Sequence, residues 1–279
     1  MARVYIKIPK SGLGNMMLVW AYGIAFAELN RLPVTVSRWW GFRWGALLRR
    51  EKKNRLYRGY FKEERLLKRF VSSARTLFSK KVHNPGLKKV ESVSARNVVY
   101  IFDKLPAHNY FTNLYPHLSL IREKLFSLLT PRVMEEFNGC LKPEIAVHVR
   151  RGDFKYANHI TSEEYFIGII QAIRNTTGEN LKVTIFTDGG EHEISKLLRL
   201  SNTEVANNKF DITDILQMSQ SRYLLLSRDS SFSYWAAFLS EAVVIMHSGD
   251  WQKRIKPDSG SYREIRCNGA EDLNGSFGM

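Results

Sequence analysis

The sequence predicts an α/β protein of two doubly wound halves, each with a parallel sheet. Three observations lead there. Apolar strand-length runs alternate with helix-length amphipathic runs, which is the pattern of parallel sheets crossed over by helices. That alternation stops and restarts around a turn-prone stretch from Thr130-Pro131 to Lys142-Pro143. Distinctive polar motifs, Gly12-Leu13-Gly14-Asn15 and His148-Val149-Arg150-Arg151-Gly152-Asp153, fall where strands should give way to turns. Length fits this plan: 279 residues with 44% hydrophobic and 25% charged composition suffice for one large or two modest cores.

Val4, Ile6 and Ile8 alternate as a strand does, and Ser11-Gly12-Leu13-Gly14-Asn15 turns into a helix over Met16–Asn30. Arg3, Lys7 and Lys10 ahead of an apolar run that ends Ala25-Phe26-Ala27 resemble a secretory signal. The alternation favours a first β–α unit kept in the mature protein, and the run is too short to span a bilayer. A strand over Val34–Ser37 completes the opening βαβ pattern, followed by a strand at Val98–Phe102 and a helix around Leu118–Leu129. Residues 1–135 form the first half. The second, 136–279, reads as strand Glu144–Val149, helix Ser162–Asn175, strand Lys182–Phe186, helix Glu191–Leu200, strand Tyr223–Leu226, helix Phe232–Ser240 and strand Val243–Met246.

Net charge is +15, and it is concentrated. Residues 38–89 hold seventeen Lys or Arg against three acids, so the remainder is nearly neutral. Trp39, Trp40, Phe42, Trp44, Tyr57, Tyr60 and Phe61 interleave with those cations, and Leu66, Leu67, Phe70, Val71, Ala74, Leu77 and Phe78 recur at helical spacing. Such a segment fits an anionic membrane surface or acidic partner, and equally a helix that buries its stripe while its lysines stay solvated. Nucleic acid is the other polyanion of suitable charge, although no RNA-binding module signature accompanies it. Cys140 and Cys267 are far apart and have no metal-ligand neighbours in sequence, which points to a reducing cytosol and away from a disulfide framework or zinc site.

The arginine motif carries the most chemistry. Glu144–Val149 reads as an interior strand, and two guanidiniums would not be stable in the core beyond it without anionic partners. The pair should therefore emerge at the strand's carboxyl end, the edge where open α/β sheets bind ligands. Arginine's planar fork suits bidentate donation to phosphate oxygens. A surface turn satisfied by nearby carboxylates is the structural alternative. The Gly12–Asn15 turn lets backbone amides approach a ligand at a helix N-terminus, or is an ordinary tight turn. Asp229-Ser230-Ser231-Phe232-Ser233-Tyr234-Trp235 follows an apolar strand and starts a helix, so its hydroxyls and amides can hold a phosphate or simply cap the helix. Thr187-Asp188 also ends a strand, where the acid can accept from a nucleobase or ribose, or cap. No Asp-x-Asp pair, HExxH or P-loop occurs, so positive charge for a leaving diphosphate falls to Arg150, Arg151 and helix ends.

In order, GLGN, HVRRGDF, FTDG and DITDILQMSQSRYLLLSRDSSFSYWAAFL resemble the bacterial α1,2-fucosyltransferases of glycosyltransferase family eleven, from about Ile6 to about Pro257. The resemblance implies a GT-B-like architecture of two Rossmann-like halves facing across a cleft, the first on the acceptor side and the second binding GDP-L-fucose. It implies metal-independent, inverting transfer of fucose to a galactose-type hydroxyl of a surface glycan or its lipid-linked precursor, as in a galactoside 2-alpha-L-fucosyltransferase. No cofactor or metal is expected beside the donor. Arg150 would neutralise the departing β-phosphate, with Arg151 supporting or structural. Ser230, Ser231 and Phe232 would line the phosphate pocket, His148 and Asp188 would lie near the nucleoside, and Gly12, Gly14 and Asn15 would face the fucose. Asp153 is the first candidate for a general base, with His159, Glu163 and Glu164 behind it, unless departure of the leaving group drives the reaction.

Three positions depart from the family pattern: Met16 replaces Gln, Gly189 stands where a second acid usually follows, and Asp229, preceded by Arg228, replaces Asn. They leave another GDP-sugar or another linkage as the alternative. A non-catalytic RNA- or membrane-binding protein acting through residues 38–89 is the alternative of a different class. The expected location is the cytoplasm, with the inner face of a membrane as a peripheral site reached through that segment.

Overall fold

A computed structural model describes residues 2–41, 56–63, 79–90, 97–106, 110–152, 160–252 and 254–273. The chain forms two compact units, residues 1–44 with 55–134 and residues 45–54 with 135–279. Each is a mixed α/β unit around a parallel sheet.

In the first unit, β1 (Arg3–Ile6) is flanked by β2 (Val34–Val36) and β4 (Val98–Phe102), with β3 (Lys80–His83) outside β4. β4 is buried along its whole length and β3 is mostly exposed, as suits an edge strand rich in lysine. The first helix, α1 (Leu13–Leu29), is buried on nearly every face, so the signal-like apolar run is core. Gly23 lets it lie against the sheet: a Cβ there would stand 2.4 Å from Ile6 Cγ1. Asn30 ends the helix, its Nδ2 donating to Phe26 O (2.9 Å) and its Oδ1 accepting from Val90 N (2.7 Å). Two helices follow, α2 (Tyr110–Leu114) and α3 (Leu118–Leu128), and then α4 (Pro131–Gly139), which carries the chain through the seam.

The second unit is a six-stranded sheet, all parallel, in the order β10-β9-β8-β5-β6-β7. Its strands are β5 (Ile145–Val149), β6 (Val183–Thr187), β7 (Thr203–Val205), β8 (Tyr223–Leu225), β9 (Val243–His247) and β10 (Arg263–Cys267). The crossover helices are α5 (Glu163–Thr177), α6 (Asp211–Met218) and α7 (Ser231–Leu239). Ser162 caps α5 by accepting from Tyr165 N at 3.2 Å, and Gly178, at φ 68°, ends it in the left-handed conformation that glycine adopts freely. The chain winds outward from β5 through β6 and β7, then returns to β8 on the other side of β5 and winds away through β9 and β10. The winding direction therefore reverses between β5 and β8, and ligands bind at that point in doubly wound sheets.

The helix expected over Glu191–Leu200 is instead two short 3-10 turns, Glu191–Glu193 and Leu197–Arg199. An α-helix there would pair Leu197 N with Glu193 O. Both groups are taken: Leu197 N donates to Glu163 Oε2 (2.9 Å), and Glu193 O accepts from Arg151 Nε (3.3 Å). Strands β3, β7 and β10 and helices α2 and α6 were not foreseen from the sequence. The helical stripe expected at 66–78 lies outside the described residues.

Candidate donor-binding site

The switch point is built by β5, β6 and β8, whose residues are almost wholly buried. Where β5 and β8 part, Ser227 bridges them: its hydroxyl donates to His148 O (2.7 Å) and accepts from Arg150 N (2.8 Å). On the other flank, Thr187 Oγ1 donates to Val149 O (2.7 Å). These bonds satisfy backbone groups that the diverging strands cannot pair.

The two arginines take different paths. Arg150 Nη1 lies 2.7 Å from Asp188 Oδ2 at the mouth of the sheet. Arg151 turns back into the protein and is 5% exposed; its Nη1 donates to Thr161 O (2.8 Å) and Arg150 O (3.3 Å), and its Nε to Glu193 O. The expectation that both guanidiniums emerge thus holds for Arg150 alone, because main-chain carbonyls supply the partners that make burial of Arg151 tolerable. Asp188 works as a brace, its Oδ1 accepting from Arg151 N (2.8 Å) and Gly152 N (3.2 Å). Gly189 follows from the same packing: a Cβ would stand 2.8 Å from Arg151 Cγ, so an acidic side chain has no room there.

His148 is buried, its ring stacked on Phe232 with centroids 5.2 Å apart and planes 27° off parallel. Burial, reinforced by the adjacent Arg150 charge, pushes its pKa down to about 3, so the imidazole is neutral near pH 7. Its Nδ1 is buried without a hydrogen-bond partner among the described residues. Phe232 belongs to the first turn of α7. Ser230 is the N-cap residue of that helix but makes no side-chain capping bond, and no acid stands in the first turn. The helix dipole at this N-terminus favours an anion.

The second unit therefore gathers His148, Arg150, Arg151, Asp188, Ser230, Ser231 and Phe232 around its switch point. Gly12, Gly14 and Asn15 lie in the first unit at the start of α1, where Leu13 N donates to Tyr57 Oη (3.1 Å). A Cβ at Gly12 would meet nothing within 4 Å, so packing does not require that glycine. Asp153 and His159 fall outside the described residues. Ser227, Thr161 and Asp250 were overlooked, although Ser227 sits directly before the Arg228-Asp229-Ser230 stretch. Among the described residues, no three His, Cys, Asp or Glu side chains gather as a metal site, and no helix is long and apolar enough to cross a membrane.

Residues 120–252 match the family model for glycosyl transferase family 11, so the resemblance carried by the motifs appears there too. No curated protein matches the chain. Among solved structures, the chain is similar to POFUT1 in complex with GDP-fucose, at 12% identity and TM-score 0.56, over 86% of this chain and 95% of that one. It is also similar to the α1,6-fucosyltransferase NodZ co-crystallised with GDP, at 12% identity and TM-score 0.50, over 89% and 96%. A selenomethionine structure of NodZ from Bradyrhizobium aligns at 12% identity and TM-score 0.49, over 86% and 93%. Likeness at such identity concerns the fold: mixed α/β with two parallel sheets, of GT-B-like kind.

Proposed function

We propose that the chain is an inverting, metal-independent glycosyltransferase that moves L-fucose from GDP-β-L-fucose to a galactose-type hydroxyl of a surface glycan or its lipid-linked precursor, in α1,2 linkage. One observation carries the reading. A guanidinium, the N-terminus of α7 and a neutral histidine stacked on phenylalanine converge at the switch point, inside the stretch matched by the family model. The GDP and GDP-fucose held by the solved structures of the same fold support the donor class, and the motif resemblance supports the linkage.

In this reading Arg150 turns from Asp188 to the β-phosphate and stabilises charge as the glycosidic bond breaks. Ser230, Ser231 and the leading amides of α7 hold the diphosphate, while His148 and Phe232 border the nucleoside. Asp188 and Arg151 keep the β5 exit in shape. Asp153 takes the acceptor proton, and Gly12, Gly14 and Asn15 of the first unit are the residues that the motif resemblance assigns to the fucose. With a β-linked donor, attack opposite the departing GDP gives an α-fucoside.

Purified protein with GDP-fucose, galactoside acceptors and EDTA should release GDP, and Arg150→Ala should reduce the rate by about 10²-fold or more. An Arg150→Ala enzyme as fast as wild type would refute the role of Arg150, and a GDP-sugar panel without turnover of GDP-fucose would refute the donor. A peripheral location at an anionic membrane is part of the proposal, motivated by exposed Trp40 with Arg38 and Arg58 guanidiniums 5.1 and 5.9 Å from its ring centroid. Liposome sedimentation that is unchanged when the basic residues of 38–89 are neutralised would count against it.

A further inference from the structure

Behind the turn that joins β8 to α7 lies a buried carboxylate that the donor reading leaves unused. Asp250, three residues past β9, is 7% exposed. It accepts from the Tyr234 hydroxyl on α7, from Gln252 N (3.1 Å) and from Asp229 N (3.4 Å). Asp229 answers across the gap, its Oδ1 accepting from Trp251 N (3.2 Å). The turns after two neighbouring strands are thus clasped by reciprocal bonds. Asp229 also sits at φ 56°, a left-handed conformation that L side chains rarely adopt and that persists where surroundings over-determine it. The next residue is Ser230, so whatever fixes Asp229 fixes the start of α7.

We propose that Asp250 is a positioning residue: by holding Asp229 and Tyr234 it aims Ser230 and the leading amides of α7 at the donor phosphate, an inference that rests on the donor reading above. Burial pushes the Asp250 pKa up to about 6, the Tyr234 hydrogen bond pulls it down, and the Asp229 charge pushes it up. The groups around it are Tyr234 from α7, Asp229 from the β8 turn and Tyr165 from α5. Arg228 lies beyond, 3.4 Å from Asp229 and felt by His247 at the end of β9. As pH falls through about 6 the carboxylate gains a proton, loses its charge-assisted grip on these donors, and the clasp loosens.

The test is calorimetric binding of GDP to the full chain between pH 5 and 8, for wild type, Asp250→Asn and Tyr234→Phe. Asp250→Asn should bind GDP about tenfold more weakly at pH 7.5, the equivalent of one lost hydrogen bond. The ratio of wild-type to variant affinity should approach one below pH 6. Using the ratio cancels the titration of GDP's own terminal phosphate. Tyr234→Phe removes a contact that lowers the Asp250 pKa, so its pH profile should shift upward. A residue that merely stabilised the fold would lower the melting temperature without a pH-dependent ratio. Asp250→Asn binding within twofold of wild type at pH 7.5, or a ratio flat with pH, would overturn the inference while leaving the donor reading intact. If Asp250→Asn does not fold, a wild-type profile for Tyr234→Phe overturns it. Wild-type protein that binds no GDP overturns both.

Discussion

Replacing Arg151 with alanine should unfold the second unit far more readily than replacing Arg150. Arg151 is buried and donates to three main-chain carbonyls, at 2.8 Å to Thr161 and 3.3 Å to Glu193 and Arg150. Hydrogen bonds from a charged donor contribute about 1.5–3 kcal/mol each. Giving the short bond full weight and the two longer ones less than half, the loss is about 3–4 kcal/mol. At roughly 2–4 °C per kcal/mol for a domain of this size, the melting transition should fall by about 10 °C. Arg150 stands at the mouth of the sheet and pairs with Asp188 there, and Asp188 keeps its bonds to Arg151 N and Gly152 N when Arg150 is cut. Arg150→Ala should therefore melt within about 3 °C of wild type while losing turnover. Thermal denaturation followed by circular dichroism, with GDP release measured on the same samples, separates the two. An Arg151→Ala protein melting within about 2 °C of wild type would refute the reasoning, since it would mean that the buried fork carries no structural load.

Gly189→Ala should cost about 1–3 kcal/mol, because its Cβ would meet the Arg151 stem at 2.8 and 2.9 Å and that stem is locked by its guanidinium bonds; urea unfolding checks this, with no expected loss at Gly12→Ala, where the space is open. Stability should also depend on pH through Asp250. Its pKa is about 6 in the folded protein against an ordinary 3.8, so the folded chain holds the proton to higher pH than the unfolded chain. That contribution is full below pH 3.8 and is lost as pH rises through about 6, by at most on the order of 3 kcal/mol. The wild-type unfolding free energy minus that of Asp250→Asn should fall between pH 4 and 7, and a difference that rises or stays flat would contradict the assignment.

The sequence made the strands at the centre of each sheet legible because they are buried on both faces and so are nearly continuous in apolar residues, as Val98–Phe102 and Ile145–Val149 are. Edge strands obey a weaker rule. Lys80–His83 carries charge at exposed positions, and Arg263–Cys267 buries only Ile265 and Cys267, an alternation too short to stand apart from a loop. The helix expected at Glu191–Leu200 had the right local composition and lost to tertiary bonds from Arg151 and Glu163, which lie some 30 to 40 positions earlier and cannot be weighed within a local window. At the site, residue types and strand-end placement were readable from the motif, whereas the division of labour was not. Arg150 and Arg151 are chemically identical, and only the location of carbonyl acceptors around the second distinguishes them.

That division follows from the geometry of a strand exit. Successive side chains leaving an extended strand point to opposite sides, so of two adjacent arginines one faces outward and one faces the body of the unit. Were both outward, the mouth would hold two unneutralised cations beside His148. With Arg151 turned inward and His148 kept neutral by burial and by Arg150, the Arg150 guanidinium remains at the mouth, paired with Asp188. In the proposed reading a diphosphate competes with that carboxylate for Arg150, while Asp188 retains its two main-chain donors. Donor binding would then draw Arg150 partly from one anionic partner to another, which limits net affinity. The same competition run backward would give GDP a route out, since Asp188 is placed to reclaim Arg150. Removing Asp188 would accordingly strip away both the competitor and the brace, and the two effects on GDP affinity oppose each other.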